Sequence, residues 1–194
     1  MSNNLLKRRK PVLLASVAAA VATGVAAYAF ARRKLHPPLP TVAHVDLHKY
    51  MGLWYEVARL PTRFEKGCQH VTAEYTLRPD GKVTVRNTCH KEGLNGPVET
   101  VTGTARVVDA VTNAKLKVSF FWPFEGDYWI IALDHSDYRH ALVAGGPDRT
   151  NLWLLSRTPH MERNLRDHYL AKARELGFDV DRILFTPQPI AGKP

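Results

Sequence analysis

The sequence is short of cysteine, of acidic residues at its start, and of net charge over its body. Cys68 and Cys89 are the only cysteines in 194 residues. The nine histidines are scattered. His44 and His48, at i, i+4, and His135 and His140, in one turn-and-strand region, come nearest to clusters, yet no Cys/His group has a metal-ligand spacing. No metal and no other cofactor is therefore expected. Residues 1–36 contain no Asp or Glu but seven Lys or Arg, so they carry +7 of the formal net charge of +9. Residues 37–194 carry the remaining +2, and a body so close to neutral gives no support to a nucleic-acid partner. No internal repeat is present. The length suits one ordinary domain, and 45% apolar with 23% charged residues excludes a disordered or collagen-like chain.

What the start of the chain does have is an uncharged apolar stretch, residues 11–31, rich in Ala, Val and Leu. As a helix it spans roughly 30 Å, about the hydrocarbon thickness of a bilayer. Basic clusters flank it at 7–10 and 32–34. Two small-x-small sites, Ala27-Tyr28-Ala29 and Ala29-Phe30-Ala31, suit cleavage of a secretory signal. The length and the trailing Arg32-Arg33-Lys34 favour an uncleaved anchor over residues 1–34. With four basic residues before the stretch and three after, the N-terminus is placed in the cytoplasm. Either way the body is exported. No cysteine precedes Cys68, so this segment is not the lipid-modified signal of a bacterial lipoprotein. Residues 35–41, Leu-His-Pro-Pro-Leu-Pro-Thr, read as a stiff extended spacer.

The body, residues 42–190, reads as short apolar or alternating runs punctuated by turns. Strands are expected over 53–60, 71–77, 82–88, 100–109, 115–121, 128–133, 138–144 and 152–156, with Arg78-Pro79-Asp80-Gly81 as a hairpin turn. Short connections favour an up-and-down antiparallel barrel of eight strands, the size that holds one small ligand. One helix follows, with Thr158 as N-cap, Pro159 in its first turn, an apolar face of Leu165, Tyr169, Ala173 and Leu176, and Gly177 as its stop. Residues 183–186 suit a ninth short strand.

Gly52-Leu53-Trp54-Tyr55-Glu56 resembles the first signature of the lipocalin family. Asp137-Tyr138 ahead of Ala141-Leu142-Val143 resembles the second, with Ser136 where Thr is usual, and Leu155-Ser156-Arg157 resembles the third. The likeness covers about residues 42–190, and the runs 117–124 and 139–143 are similar to the bacterial branch related to apolipoprotein D. It implies a mainly β fold: an eight-stranded calyx with one C-terminal helix. Gly52, Trp54, Asp137, Tyr138 and Arg157 are then structural. Trp54 plugs the closed end, and Arg157 stacks on it as a cation–π pair.

Strand parity turns Leu155 and Trp153 inward with Arg157, and puts Leu116, Val118 and Phe120 on one face. Residues 128–133 are apolar on both faces, and the resemblance selects Trp129 as pocket-facing. Alternation groups Tyr138 with His140 and Leu142. The expected ligand-binding wall is thus Phe120, Trp129, His140, Leu142, Trp153 and Leu155. A symmetrical turn pairs Leu77 with Lys82 and leaves Cys68 and Cys89 two residues out of register, a mismatch a bulge absorbs. A disulfide between them suits an exported domain. The rival reading is a reactive Cys68 thiol with His70 or His90 as base.

The resemblance implies a protein that is not an enzyme. It would bind, store or transfer fatty acids or lysophospholipids in the bacterial cell envelope, with the barrel on the extracytoplasmic side and the membrane engaged through residues 11–31. The alternatives are a calyx enzyme acting through Cys68, or a binder of another apolar compound such as a tetrapyrrole or carotenoid. Self-association into a homodimer stays open.

Overall fold

The computed structural model describes residues 37–189, so the expectations placed on residues 1–36 and 190 lie outside the described residues. Among the described residues no helix is long and apolar enough to cross a membrane. A single turn of helix, α1 (Leu47–Tyr50), leads into eight consecutive antiparallel strands: β1 (Gly52–Arg59), β2 (Cys68–Leu77), β3 (Val83–Lys91), β4 (Val98–Val107), β5 (Lys115–Phe121), β6 (Phe124–Leu133), β7 (His140–Ala144) and β8 (Leu152–Ser156). Helix α2 (Arg163–Glu175) and a two-residue strand, β9 (Leu184–Phe185), complete the fold. Strands β1 to β8 each pair with their sequence neighbours, β1 also pairs with β8, which closes the barrel as expected, and β9 pairs with the end of β1.

Two apolar layers follow from the period-two alternation of the strands. Trp54, Tyr75, Val85, Leu116, Ile130, Val143 and Leu155 share the inner cluster. Val57, Ala58, Ile131, Leu142, Ala144, Leu152 and Leu154 share an outer one with Tyr169, Ala173 and Phe178 of the helical segment. The barrel wall is therefore apolar on both sides where α2 lies, which is why residues 128–133 show no clear alternation.

Three local expectations change. Helix α2 starts at Arg163, not beside Thr158. The Thr158 hydroxyl donates to His160 O and its N–H to Ser156 Oγ, so both are spent on a turn. The helix ends as read: Gly177, at φ 86°, donates to Arg174 O and Phe178 N–H donates to Ala173 O, a Schellman stop. The β2–β3 turn is one residue longer than a symmetrical one, pairing Leu77 with Val83. Finally, Leu39 is buried and packs in the outer cluster, so the spacer read over 35–41 is seated on the barrel from that residue on.

β1 and β2 pair only over Gly52–Tyr55 against Thr72–Tyr75. Beyond that the C-terminal segment lies between them. Thr186 N–H donates to Val57 O, His70 N–H donates to Pro187 O, and the Gln188 side-chain amide donates to both Glu56 O (2.8 Å) and Val71 O (3.0 Å).

Candidate ligand cavity

The closed end is built around Trp54, which is fully buried. Its indole N–H donates to Tyr50 O at 2.9 Å. The Arg157 guanidinium lies 3.8 Å from the Trp54 ring centroid and donates to four carbonyls: Lys49 O, Met51 O and Leu53 O, each at 2.8 Å, and Tyr138 O at 3.1 Å. Gly52 sits at φ 90°, a conformation that disfavours a side chain, and a Cβ placed there would lie 3.5 Å from Arg157 Nη1. Tyr138 joins the same end through its hydroxyl, which accepts from Asp46 N–H at 3.0 Å. Asp137 is exposed; the turn is capped instead by the Asp134 carboxylate, which accepts from Ser136 N–H and its hydroxyl.

Above this floor is a cavity of about 930 Å³ that opens at the other end of the barrel. That size lies within the range of small-ligand sites. Val83, Val85, Ala105, Leu116, Val118 and Ile130 are among the apolar residues of its wall. Phe120, Trp153 and Leu155 line it too, as strand parity implied.

Trp129, His140 and Leu142 do not line it. The pair Leu116–Tyr128 carries the inward face of β5 onto Tyr128, so Trp129 turns outward. Its ring packs with the outer cluster under the Lys115 ammonium, 4.6 Å away. Tyr138 has φ 54° and precedes β7, so the alternation counted through it fails. Ala141 and Val143 face in, while Leu142 lies beneath α2 and the His140 ring is 6.2 Å from that of Tyr169. A bulge between Ile130 and Ala132 turns both Ile131 and Ala132 outward as well.

Two polar groups in the cavity were not anticipated. At the floor, the Tyr128 hydroxyl bonds those of Tyr50 (2.8 Å) and Tyr75 (3.0 Å). Burial holds all three phenols neutral, with Tyr75 pushed up to about 12 and Tyr50 and Tyr128 raised well above the usual value. Two hydrogen bonds among three hydroxyls use two protons, so a third O–H remains to donate to a polar atom on the floor. Higher up, Arg59 lies between two carboxylates. Its Nη1 donates to Glu56 Oε1 at 2.5 Å, and its Nε is 3.8 Å from Glu65 Oε2. The Thr186 hydroxyl donates to the same Glu56 oxygen, and Trp153 Nε1 donates to Glu65 at 3.2 Å. Burial and the nearby Glu65 charge raise Glu56 to about 7, outweighing the pull of Arg59. The wall is thus a mostly apolar surface with a neutral hydroxyl group at the bottom and an acidic group near the top.

Cys68 and Cys89 are joined, with Cα atoms 5.4 Å apart. The expected bulge is present in β2, between Gln69 and Thr72, but it does not align the two cysteines: Cys68 stands opposite Lys91, and the bond runs diagonally across the ladder to Cys89. Neither sulfur is available as a nucleophile, which removes the thiol-enzyme reading. Among the described residues no group of three His, Cys, Asp or Glu side chains converges on a metal-sized site.

The comparisons agree with this geometry. The lipocalin-like domain family matches residues 45–188. Outer membrane lipoprotein Blc of Escherichia coli (strain K12) is 46% identical over 158 residues, covering 79% of this chain and 86% of that protein. Apolipoprotein D of Macaca fascicularis is 33% identical over 156 residues, covering 77% and 80%. Insecticyanin from the tobacco hornworm Manduca sexta superposes with a TM-score of 0.65 at 23% identity, over 80% of this chain and 87% of that one. With its ordered signatures, closed barrel and capped calyx, this chain belongs to the lipocalin family.

Proposed function

We propose that the calyx binds single-chain lipids, fatty acids or lysophospholipids, and stores or carries them in the bacterial cell envelope without catalysing a reaction. The observation that carries this is the cavity itself: about 930 Å³, open at one end, with a mainly apolar wall. Burying a dozen CH₂ groups gains roughly 10 kcal/mol gross at about 0.8 each, and ordering costs bring the net affinity near micromolar. The related proteins named as outer membrane lipoproteins support an envelope location. This chain's cysteines are both in the disulfide, so we assign membrane attachment to residues 11–31.

The test is titration of the protein with lysophosphatidylethanolamine, followed through tryptophan emission, to which Trp153 in the wall contributes. Ala105, small and buried in the wall, is replaced by Trp to fill the cavity. Uptake should be lost in Ala105→Trp and kept in Trp129→Phe. Saturable uptake that survives Ala105→Trp would place the lipid elsewhere.

A further inference from the structure

The lower calyx holds hydrogen-bonding capacity that the fold does not use. Tyr50, Tyr75 and Tyr128 meet at its floor from α1, β2 and β6. Their rings hold one another in place: Tyr50 stacks on Tyr75 with centroids 5.9 Å apart, and Tyr128 meets Tyr75 edge-on at 6.0 Å. Among the described residues the three hydroxyls make two hydrogen bonds, both with Tyr128. One O–H is left over whichever way those bonds run. Tyr128, where they converge, keeps surface open to the cavity. On the β2–β3 ladder the next inward pair after Tyr75 and Val85 is Ala73 and Asn87. Asn87 also lines the cavity, and its Oδ1 is buried with no hydrogen-bond partner among the described residues. A spare donor and a spare acceptor thus stand on neighbouring levels of the wall, among Val83, Val85, Ala105 and Ile130.

We propose that these groups form a subsite for a hydroxyl near the methyl end of the bound chain, so that the calyx selects lipids with an oxygenated tail. The proposal rests on the lipid-binding reading and narrows its ligand class. A hydroxyl accepts one hydrogen bond and donates another, which is what the spare tyrosine O–H and the Asn87 carbonyl require between them. A plain acyl chain that reaches the floor displaces water from both and leaves buried polar groups unpaired. That costs about tenfold or more in affinity. The tail is the end that arrives there. A charged headgroup set on this floor would lose its hydration, while the Glu56–Arg59–Glu65 group nearer the mouth offers it polar contacts and water.

The experiment titrates the full chain, held in amphipol, with three lysophosphatidylethanolamines of equal chain length, followed through tryptophan emission. One carries a plain chain, one a hydroxyl beside the terminal methyl, and one a hydroxyl close to the ester. The two hydroxylated lipids are equally polar, so the ratio of their affinities reads position. The tail-hydroxylated lipid should bind about tenfold tighter than its isomer. That preference should vanish when Tyr50→Phe, Tyr75→Phe and Tyr128→Phe are combined, which removes the hydroxyls and their mutual bonds together. It should shrink in Asn87→Leu. Equal affinity for the two isomers in the unsubstituted protein overturns the subsite, and this arm needs no variant. A preference that survives the triple substitution, in a protein that still unfolds cooperatively in urea, overturns it too. Saturable uptake of the plain chain without any positional preference fails the subsite alone. Absence of saturable uptake for all three lipids fails the lipid-binding reading, and the subsite with it.

Discussion

Glu56 gives the sharpest prediction, because its sign opposes the usual behaviour of carboxylates in folded proteins. Its carboxyl is buried in the cavity wall and raised from 4.5 to about 7 by burial and by Glu65. In the unfolded chain it ionises near 4.5. Between those values the folded state holds a proton that the unfolded state has released, so stability falls as pH rises through this window. The contribution is fully present below pH 4.5 and lost once pH passes about 7. At about 1.4 kcal/mol per pH unit, the whole change is about 3 kcal/mol. Glu56→Gln keeps the shape and cannot ionise. Urea unfolding at pH 5 and pH 8 should therefore give similar stability for the two proteins at the lower pH and a variant about 3 kcal/mol more stable at the higher. His70 and His140 act in the opposite sense. Burial lowers both, so their contribution is present above 6.5 and lost as pH falls. That term is common to the two proteins and cancels in the difference. A difference that stays constant between pH 5 and pH 8 would refute the reasoning, and so would a wild-type protein that gains relative to the variant as pH rises.

Replacing Arg157 with Met removes a cation–π contact and four charged donors from the closed end. Because water reaches the half-buried site, the cost should be about 2–4 kcal/mol, read as a lower urea midpoint; a change under about 0.5 kcal/mol would show that Trp54 alone holds the floor. Tyr128→Phe removes the shared hydroxyl and leaves those of Tyr50 and Tyr75 without each other or a partner, so it should destabilise more than Tyr50→Phe or Tyr75→Phe, each of which leaves one bond intact. Alkylation of the denatured, unreduced protein should find no free thiol, and reduction should cost about 3 kcal/mol for a loop closed across 21 residues. Two labelled cysteines would reopen the thiol reading.

Much of the architecture was legible from turn residues and alternation. The limits of β5 and β8 coincide with their apolar runs, and the inward set Leu116, Val118 and Phe120 follows from parity alone. The misplacement of Trp129, His140 and Leu142 has one physical origin: the wall under α2 is apolar on both faces, so hydrophobicity no longer tells inside from outside. Carrying the Leu116 face across the hairpin to Tyr128 would have resolved Trp129. His140 needed the positive φ of Tyr138, which only Gly or Asn would have advertised. Thr158-Pro159 is a strong helix start locally, and tertiary demand for a turn after β8 overrode it. The tyrosine group and the Glu56–Arg59–Glu65 group were invisible because each joins residues distant in sequence, or on either side of the β1 bulge.

The short ladder between β1 and β2 bears on how wide the calyx can become. A barrel bonded strand to strand all the way round has a girth fixed by strand number and shear. Below Tyr55 this one obeys that rule and behaves as a rigid cup. Above it, the hoop is completed by Thr186, Pro187 and Gln188, with the Gln188 amide reaching 2.8 Å to one side and 3.0 Å to the other. Those few bonds and the two-residue β1–β9 ladder beside them are far fewer than a full strand ladder supplies, and local opening of this kind costs far less than global unfolding. The upper collar is therefore the part of the wall that can widen at low cost, while the floor keeps its dimensions.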